Sequence, residues 1–203
     1  MPMIGVSSEE EYGEAIAKRL QKLSAMGYPI FVLFTSRKSM IAVSDLLDHR
    51  EVHHLTQEKN GTALTSKKRF DRGETNLLLG MGSFWEGADF AQQDKVIEVI
   101  TRLPFDNPKD PFYQKIESLF SKQGKSTFDS YSLPMMVLRF KQAIGRAQRR
   151  PEQRSAILLM DNRPLVKSYG KLFIKEVSQE VTLRHAPLKQ IKEDIQEFLE
   201  KEC

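Results

Sequence analysis

The sequence predicts an α/β layer fold around a mainly parallel sheet. Continuous apolar runs such as Ile30-Phe-Val-Leu-Phe34 suit strands covered on both faces. Amphipathic patterns of ten or more residues separate these runs, the length a right-handed crossover helix needs. Glycine, proline and hydroxyl residues punctuate the joints.

The elements follow in order. Ser8-Glu9-Glu10-Glu11 reads as a capping box opening a helix, with Ile16, Leu20 and Leu23 at helical spacing and Gly27 as its stop. Pro29 leads into the strand 30–34, and Thr35-Ser36 caps a helix whose apolar side is Met40, Ile41, Val43, Leu46 and Leu47. A short strand is expected over 51–55, a helix over 63–71, a strand over 76–79 and a longer strand over 96–103. Residues 111–148 are helix-rich, interrupted by a polar, exposed insertion over 121–132. A strand over 155–160, a helix from Pro164 to about Lys175 and a tail helix over about 187–201 complete the chain. That tail carries Leu188, Ile191, Ile195, Phe198 and Leu199 as its apolar face. One domain spans 1–203, and in such sheets ligands sit at the carboxyl ends of the strands.

Composition excludes several classes. With 40% hydrophobic and 29% charged residues, the 203-residue chain is globular, not disordered. No apolar run reaches the roughly 18–20 residues that span a bilayer, and Met1-Pro-Met-Ile-Gly lacks the basic flank and apolar stretch of a signal peptide, so no membrane partner is expected. The single cysteine, Cys203, excludes a disulfide framework or thiolate metal cluster within this chain and fits a reducing, cytoplasmic setting. His53 and His54 are adjacent and would face opposite sides of a strand, so no metal site is expected there. The net charge of +4 decides little, but Arg139, Lys141, Arg146, Arg149, Arg150 and Arg154 face a single acid, Glu152, between 139 and 154.

Three segments are candidates for chemistry. Gly124-Lys-Ser-Thr127 ends like a phosphate-binding loop, but Leu119 stands where the first glycine is needed and no buried strand leads in; it reads as an exposed turn. Gly80-Met-Gly-Ser-Phe-Trp-Glu-Gly-Ala-Asp-Phe90 follows a buried strand. Ser83 offers a phosphate donor and Trp85 a stacking or packing ring, while Glu86 and Asp89 could orient an arginine, a metal-bound water or a ribose. The same residues also suit a structural loop around a core Trp. In Arg139-Phe-Lys-Gln-Ala-Ile-Gly-Arg-Ala-Gln-Arg-Arg150, helical spacing puts Gln142, Arg146 and Arg149 on one face, where two guanidiniums and an amide can grip a polyphosphate. Gly145 suggests a close backbone approach; a solvated basic face is the alternative.

Together these segments resemble the C-terminal RecA-like motor domain of DinG/XPD-type superfamily 2 DNA helicases. Phe31-Val-Leu-Phe-Thr-Ser36 resembles their motif IV, Gly82-Ser-Phe-Trp-Glu-Gly-Ala-Asp-Phe90 motif V, and Gln142-Ala-Ile-Gly-Arg-Ala-Gln-Arg149 motif VI. Asp161-Asn-Arg163 resembles the Asp-x-Arg that follows motif VI. The likeness covers about 28–175, in the family's order. It departs at Ala91-Gln92, where the family often has Pro-Gly, and at Arg150-Pro151-Glu152.

The resemblance implies a RecA-like, P-loop NTPase-like three-layer sandwich and half of a two-domain motor. A first RecA-like domain of the same polypeptide would hold ATP and magnesium. Arg146 and Arg149 would reach the terminal phosphates across the cleft, and Gln142 would position the attacked phosphate or water. Glu86, Gly87, Asp89 and Gly145 would line the nucleotide side and couple it to DNA, while Thr35, Ser36, Ser83 and Trp85 would contact single-stranded DNA. Some DinG-like proteins also carry an exonuclease domain. A nucleotide- and DNA-binding regulatory module of such an exonuclease, without unwinding, is the alternative expectation.

Overall fold

A computed structural model describes residues 8–87, 92–147 and 150–201. The elements are α1 (Glu9–Ser24), β1 (Ile30–Leu33), α2 (Arg37–His49), β2 (Leu55–Thr56), α3 (Ala63–Asp71), β3 (Leu77–Gly80), α4 (Ser83–Gly87), β4 (Lys95–Ile100), α5 (Pro111–Lys122), a π-helical turn (Phe128–Ser132), α6 (Leu133–Ala147), β5 (Arg154–Leu159), α7 (Arg163–Val166), α8 (Gly170–Val177) and α9 (Leu188–Glu200). The five strands form one sheet in the order β2-β3-β1-β4-β5, every pair parallel. At its centre Val32 lies between Leu79 of β3 and Val99 of β4.

Strand alternation divides the apolar residues into two cores. Ile30, Val32, Leu77, Leu79, Ile97 and Val99 face α1, α2 and α9. Phe31, Leu33, Leu78, Val96 and Ile100 face α3, α4, α6 and α8. β1 and β3 are therefore apolar on both sides, as the continuous runs predicted, and the domain has three layers.

Caps fix the helix starts. Ser8 accepts from the Glu11 amide at 3.2 Å, Ser36 from the Ser39 amide at 3.4 Å, and Thr62 from the Thr65 amide at 3.2 Å. Gly124 sits at φ +65°, and the Gly124 and Lys125 amides return to the Ser121 and Phe120 carbonyls. Gly124-Lys-Ser is thus the turn that ends α5, not a phosphate loop. The insertion after it is not wholly solvated. The π-helical turn runs into α6, and Tyr131 lies 6.4 Å from the Tyr113 ring and 6.5 Å from Phe120.

Three expectations change. The single helix expected from Pro164 to Lys175 is two, because the chain folds back between α7 and α8. A Cβ at Gly170 would lie 1.8 Å from the Pro164 carbonyl oxygen, so only glycine permits that return. Phe198 does not join the buried face of α9; it is 47% exposed beside Arg154, while Ile191, Ile195 and Leu199 pack inward. The strand expected over 51–55 forms only at Leu55–Thr56, and His54, ahead of it, is a hydrogen-bonded interior residue. Its Nδ1–H donates to the Val52 carbonyl at 2.8 Å, so Nε2 accepts from the Ser44 hydroxyl at 2.8 Å, and Thr56 in turn donates to Ser44 at 3.0 Å. Both ring nitrogens are engaged.

The α9 correction has a measurable consequence. Leu199→Ala should cost about 2–5 kcal/mol in urea unfolding, as a cavity against the first core. Phe198→Ala should stay within about 1 kcal/mol, losing little beyond a surface cation–π contact.

Candidate functional site

The carboxyl ends of β3, β1, β4 and β5 are tied into one row. The Phe34 amide donates to the Gly80 carbonyl at 2.9 Å, and the Thr101 amide and hydroxyl both donate to Leu33 at 3.1 and 2.9 Å. Past β5, the Met160 amide donates to Ile100 at 2.8 Å. Asp161 accepts from the Leu103 amide at 2.9 Å and holds the Arg163 guanidinium through both oxygens. Arg163 also donates to the Leu103 carbonyl at 3.3 Å and lies 5.2 Å from the Phe105 ring. The Asp-x-Arg segment thus clamps the ends of β4 and β5.

Thr35 and Ser36 lie in the loop that leaves β1, and Ser83 opens α4 after the turn that leaves β3. Thr35 and Ser83 are exposed and Ser36 is half-buried. Because the Ser36 oxygen accepts the α2 cap bond, its own hydroxyl proton is left to donate outward. Trp85 is anchored differently: its indole N–H donates to the Phe34 carbonyl at 2.8 Å, and its half-buried ring packs on the second core. That bond ties α4 to the end of β1. The turn into α4 needs its glycines. Gly82 has φ +54°, and a Cβ on Gly80 would lie 2.3 Å from the Phe84 ring, which packs 5.0 Å from Phe31.

α4 packs against α6 on the second face of the sheet. Gln142 and Arg146 lie one turn apart on α6, as predicted; Gln142 is exposed and Arg146 half-buried. Arg149 and Asp89 lie outside the described residues, as does the side chain of Glu86; the backbone of Glu86 and Gly87 ends α4. Gly145 is exposed, and a Cβ there would meet nothing within 4 Å. The close approach expected at Gly145 is therefore not made by any of the described residues.

The basic stretch is mostly committed to partners. Arg139 pairs with Asp106 at 2.6 Å, Lys141 with Glu176 at 3.3 Å and Arg150 with Asp94 at 2.7 Å, while Arg154 donates to the Phe198 carbonyl at 2.7 Å. Arg146 differs: its Nη1 is buried without a hydrogen-bond partner. Its charge bears on Glu98 of β4, itself 3% exposed and with one carboxyl oxygen unpartnered. Burial pushes the Glu98 carboxyl up to about 8, against the opposing pull of Arg146. Sequence reasoning passed over Glu98, although an acid inside Val96-Ile-Glu-Val-Ile100 breaks the pattern of a strand covered on both faces. It also passed over Thr101 and Gln57, whose Oε1 accepts the Met81 amide at 2.8 Å, because neither stands out from its neighbours in sequence.

No three His, Cys, Asp or Glu residues converge as a metal site among the described residues, and no helix there is long and apolar enough to cross a membrane. Residues 20–180 match the helicase C-terminal domain family. The 3'-5' exonuclease DinG of Bacillus subtilis is 32% identical over 180 residues, 86% of this chain and 19% of that protein. The chain therefore spans about a fifth of the length of the curated relatives it matches. An XPD helicase structure superposes with a TM-score of 0.65 at 19% identity, covering 88% of this chain and 32% of the other. The C-terminal domain of S. cerevisiae Dbp5 superposes at 0.53 and 12% identity, covering 96% of this chain and 94% of that domain. These likenesses fix a RecA-like helicase fold.

Glu98 makes stability depend on pH. Its folded-state proton is held to about 8, far above the ordinary carboxyl value of 4.5, so the native state binds the extra proton across that window. Wild-type stability should fall as pH rises from about 4.5 to about 8, by at most about 1.4 kcal/mol per unit from this group, and level off above. Glu98→Gln should lack that decline, so its advantage in urea unfolding widens with pH and then stops widening. In the same assay Gly145→Ala should stabilise by up to about 1 kcal/mol.

Proposed function

Since the chain belongs to the helicase C-terminal domain family, of the DinG/XPD type, we propose that it is the second motor domain of an ATP-dependent DNA helicase or translocase. The observation that supports this reading is the seating of α4 against α6, which brings the start of the segment resembling motif V to the helix that carries Gln142 and Arg146. ATP with magnesium would be held mainly by a first RecA-like domain of the same polypeptide.

In this reading Arg146 and Arg149 approach the terminal phosphates from across the cleft. Negative charge grows on the transferred phosphoryl group, and a guanidinium placed there contributes about 10³–10⁵ in rate. Gln142, exposed one turn earlier, orients the attacked phosphate or water. The open surface at Gly145 leaves room for the nucleotide or the first domain to approach the helix backbone. Glu86, Gly87 and Asp89 couple this side to the strand-end row. There Thr35, Ser36 and Ser83 donate to the phosphates of single-stranded DNA, contacts that hold the strand without reading its sequence. Trp85 serves the same groove by fixing α4 to the end of β1, with its remaining exposed ring available to a base. ATP closes the two domains through the arginines, hydrolysis opens them, and the strand steps.

A second reading has its own support. The matched relatives are named as exonucleases, and this chain departs from the family pattern at Ala91 and Pro151. In it, nucleotide bound at the same cleft modulates cutting and powers no unwinding. Strand-displacement and nuclease assays on the intact protein separate the two; robust ATP-driven unwinding eliminates the second.

Arg146→Ala in the intact protein should lower DNA-stimulated ATP turnover by about 10³-fold or more, and unchanged turnover would reject the motor assignment. The 203-residue chain alone should hydrolyse no ATP and should bind single-stranded DNA weakly, and more weakly still as salt rises.

A further inference from the structure

Glu98 lies midway along β4, with Phe31 of β1 and Ile157 of β5 as its lateral neighbours and α6 covering its face. Isolated acids are rarely buried without full hydrogen bonding, since burial strips the charge of its hydration. A structural ion pair would satisfy both groups, but here Glu98 Oε2 and Arg146 Nη1 are both buried and neither atom is hydrogen-bonded. The Arg146 Nη1 and Glu98 Oε2 atoms thus sit in the interior without the directional bonds that would fix them there.

The other charged groups around this face act elsewhere. β1 carries no titratable side chain. On α6, Arg139 is engaged by Asp106 and Lys141 by Glu176. On β5, Arg154 donates to the Phe198 carbonyl. Among the described side chains, Arg146 is the charge that acts on Glu98.

We propose that Glu98 is a positioning residue that keeps Arg146 drawn into the domain until phosphate is presented, and that its protonation state sets how readily Arg146 is released. The proposal rests on the reading of Arg146 as a phosphate contact. A neutral carboxyl retains a guanidinium weakly, so a polyphosphate draws Arg146 outward. An ionised carboxylate retains it strongly, and release then requires Glu98 to take up a proton, because departure of Arg146 removes the one charge that favours ionisation. Near neutral pH the buried group is protonated and the finger is available. Above about 8 it is held back.

The test uses the intact protein carrying both motor domains, with ATP and a single-stranded oligonucleotide, from pH 6.5 to 9.5. Wild type should lose kcat on the alkaline side of about pH 8, with KM for ATP little changed. Glu98→Gln should match wild type below pH 7 and exceed its kcat about tenfold at pH 9. Glu98→Met, similar in volume and uncharged, should behave as Glu98→Gln does and serves if the Gln variant fails to fold. Identical pH profiles for wild type and a folded variant would overturn the proposal, as would a loss of turnover at pH 7 in both variants. The Arg146→Ala variant separates the two levels. If it retains turnover, the phosphate role of Arg146 is wrong; if it loses turnover while the Glu98 variants keep the wild-type profile, only the role of Glu98 is wrong.

Discussion

A parallel sheet covered on both faces excludes water from every central strand, and this constraint organises the molecule. It requires both sides of β1 and β3 to be apolar, which they are. It also confines polar chemistry to the strand ends and the helix surfaces. The row from Gly80 through Phe34 and Thr101 to Asp161 is where the backbone leaves the sheet and side chains such as Trp85 and Thr101 complete its hydrogen bonding. The one acid buried within the central strands, Glu98, therefore stands out physically: every apolar alternative would have been easier to bury.

The fold was legible because this constraint writes itself into sequence. Ile30-Phe-Val-Leu-Phe34 could hardly be anything but a doubly covered strand, and Ser8 and Ser36 mark helix starts that the structure caps as expected. What was not legible depends on long-range contact. Nothing local says that Gly170 must admit the Pro164 carbonyl, so the fold-back after α7 reads as continuous helix. Periodicity likewise assigns Phe198 to the buried face of α9, where only three-dimensional packing shows that Leu199 fills the space.

The site was legible at the level of segments and less so at the level of contacts. The spacing of Gln142 and Arg146 fixed their shared helix face, a purely local geometry. Charge counting, however, treated the run from Arg139 to Arg154 as one basic surface. Asp106, Glu176 and Asp94 come from distant segments and engage Arg139, Lys141 and Arg150, which leaves Arg146 in a different environment from these neighbours. A charge run in sequence is a composition; which of its members is free to meet a phosphate is a matter of tertiary partners.

The Asp161 clamp has a mechanical meaning. By holding the Leu103 amide and the Arg163 guanidinium together, and through Arg163 the Leu103 carbonyl, it welds the exits of two adjacent strands. The exits of β1, β4 and β5 are thereby linked in series through Thr101 and Asp161, so that a shift of one strand end strains hydrogen bonds at the next.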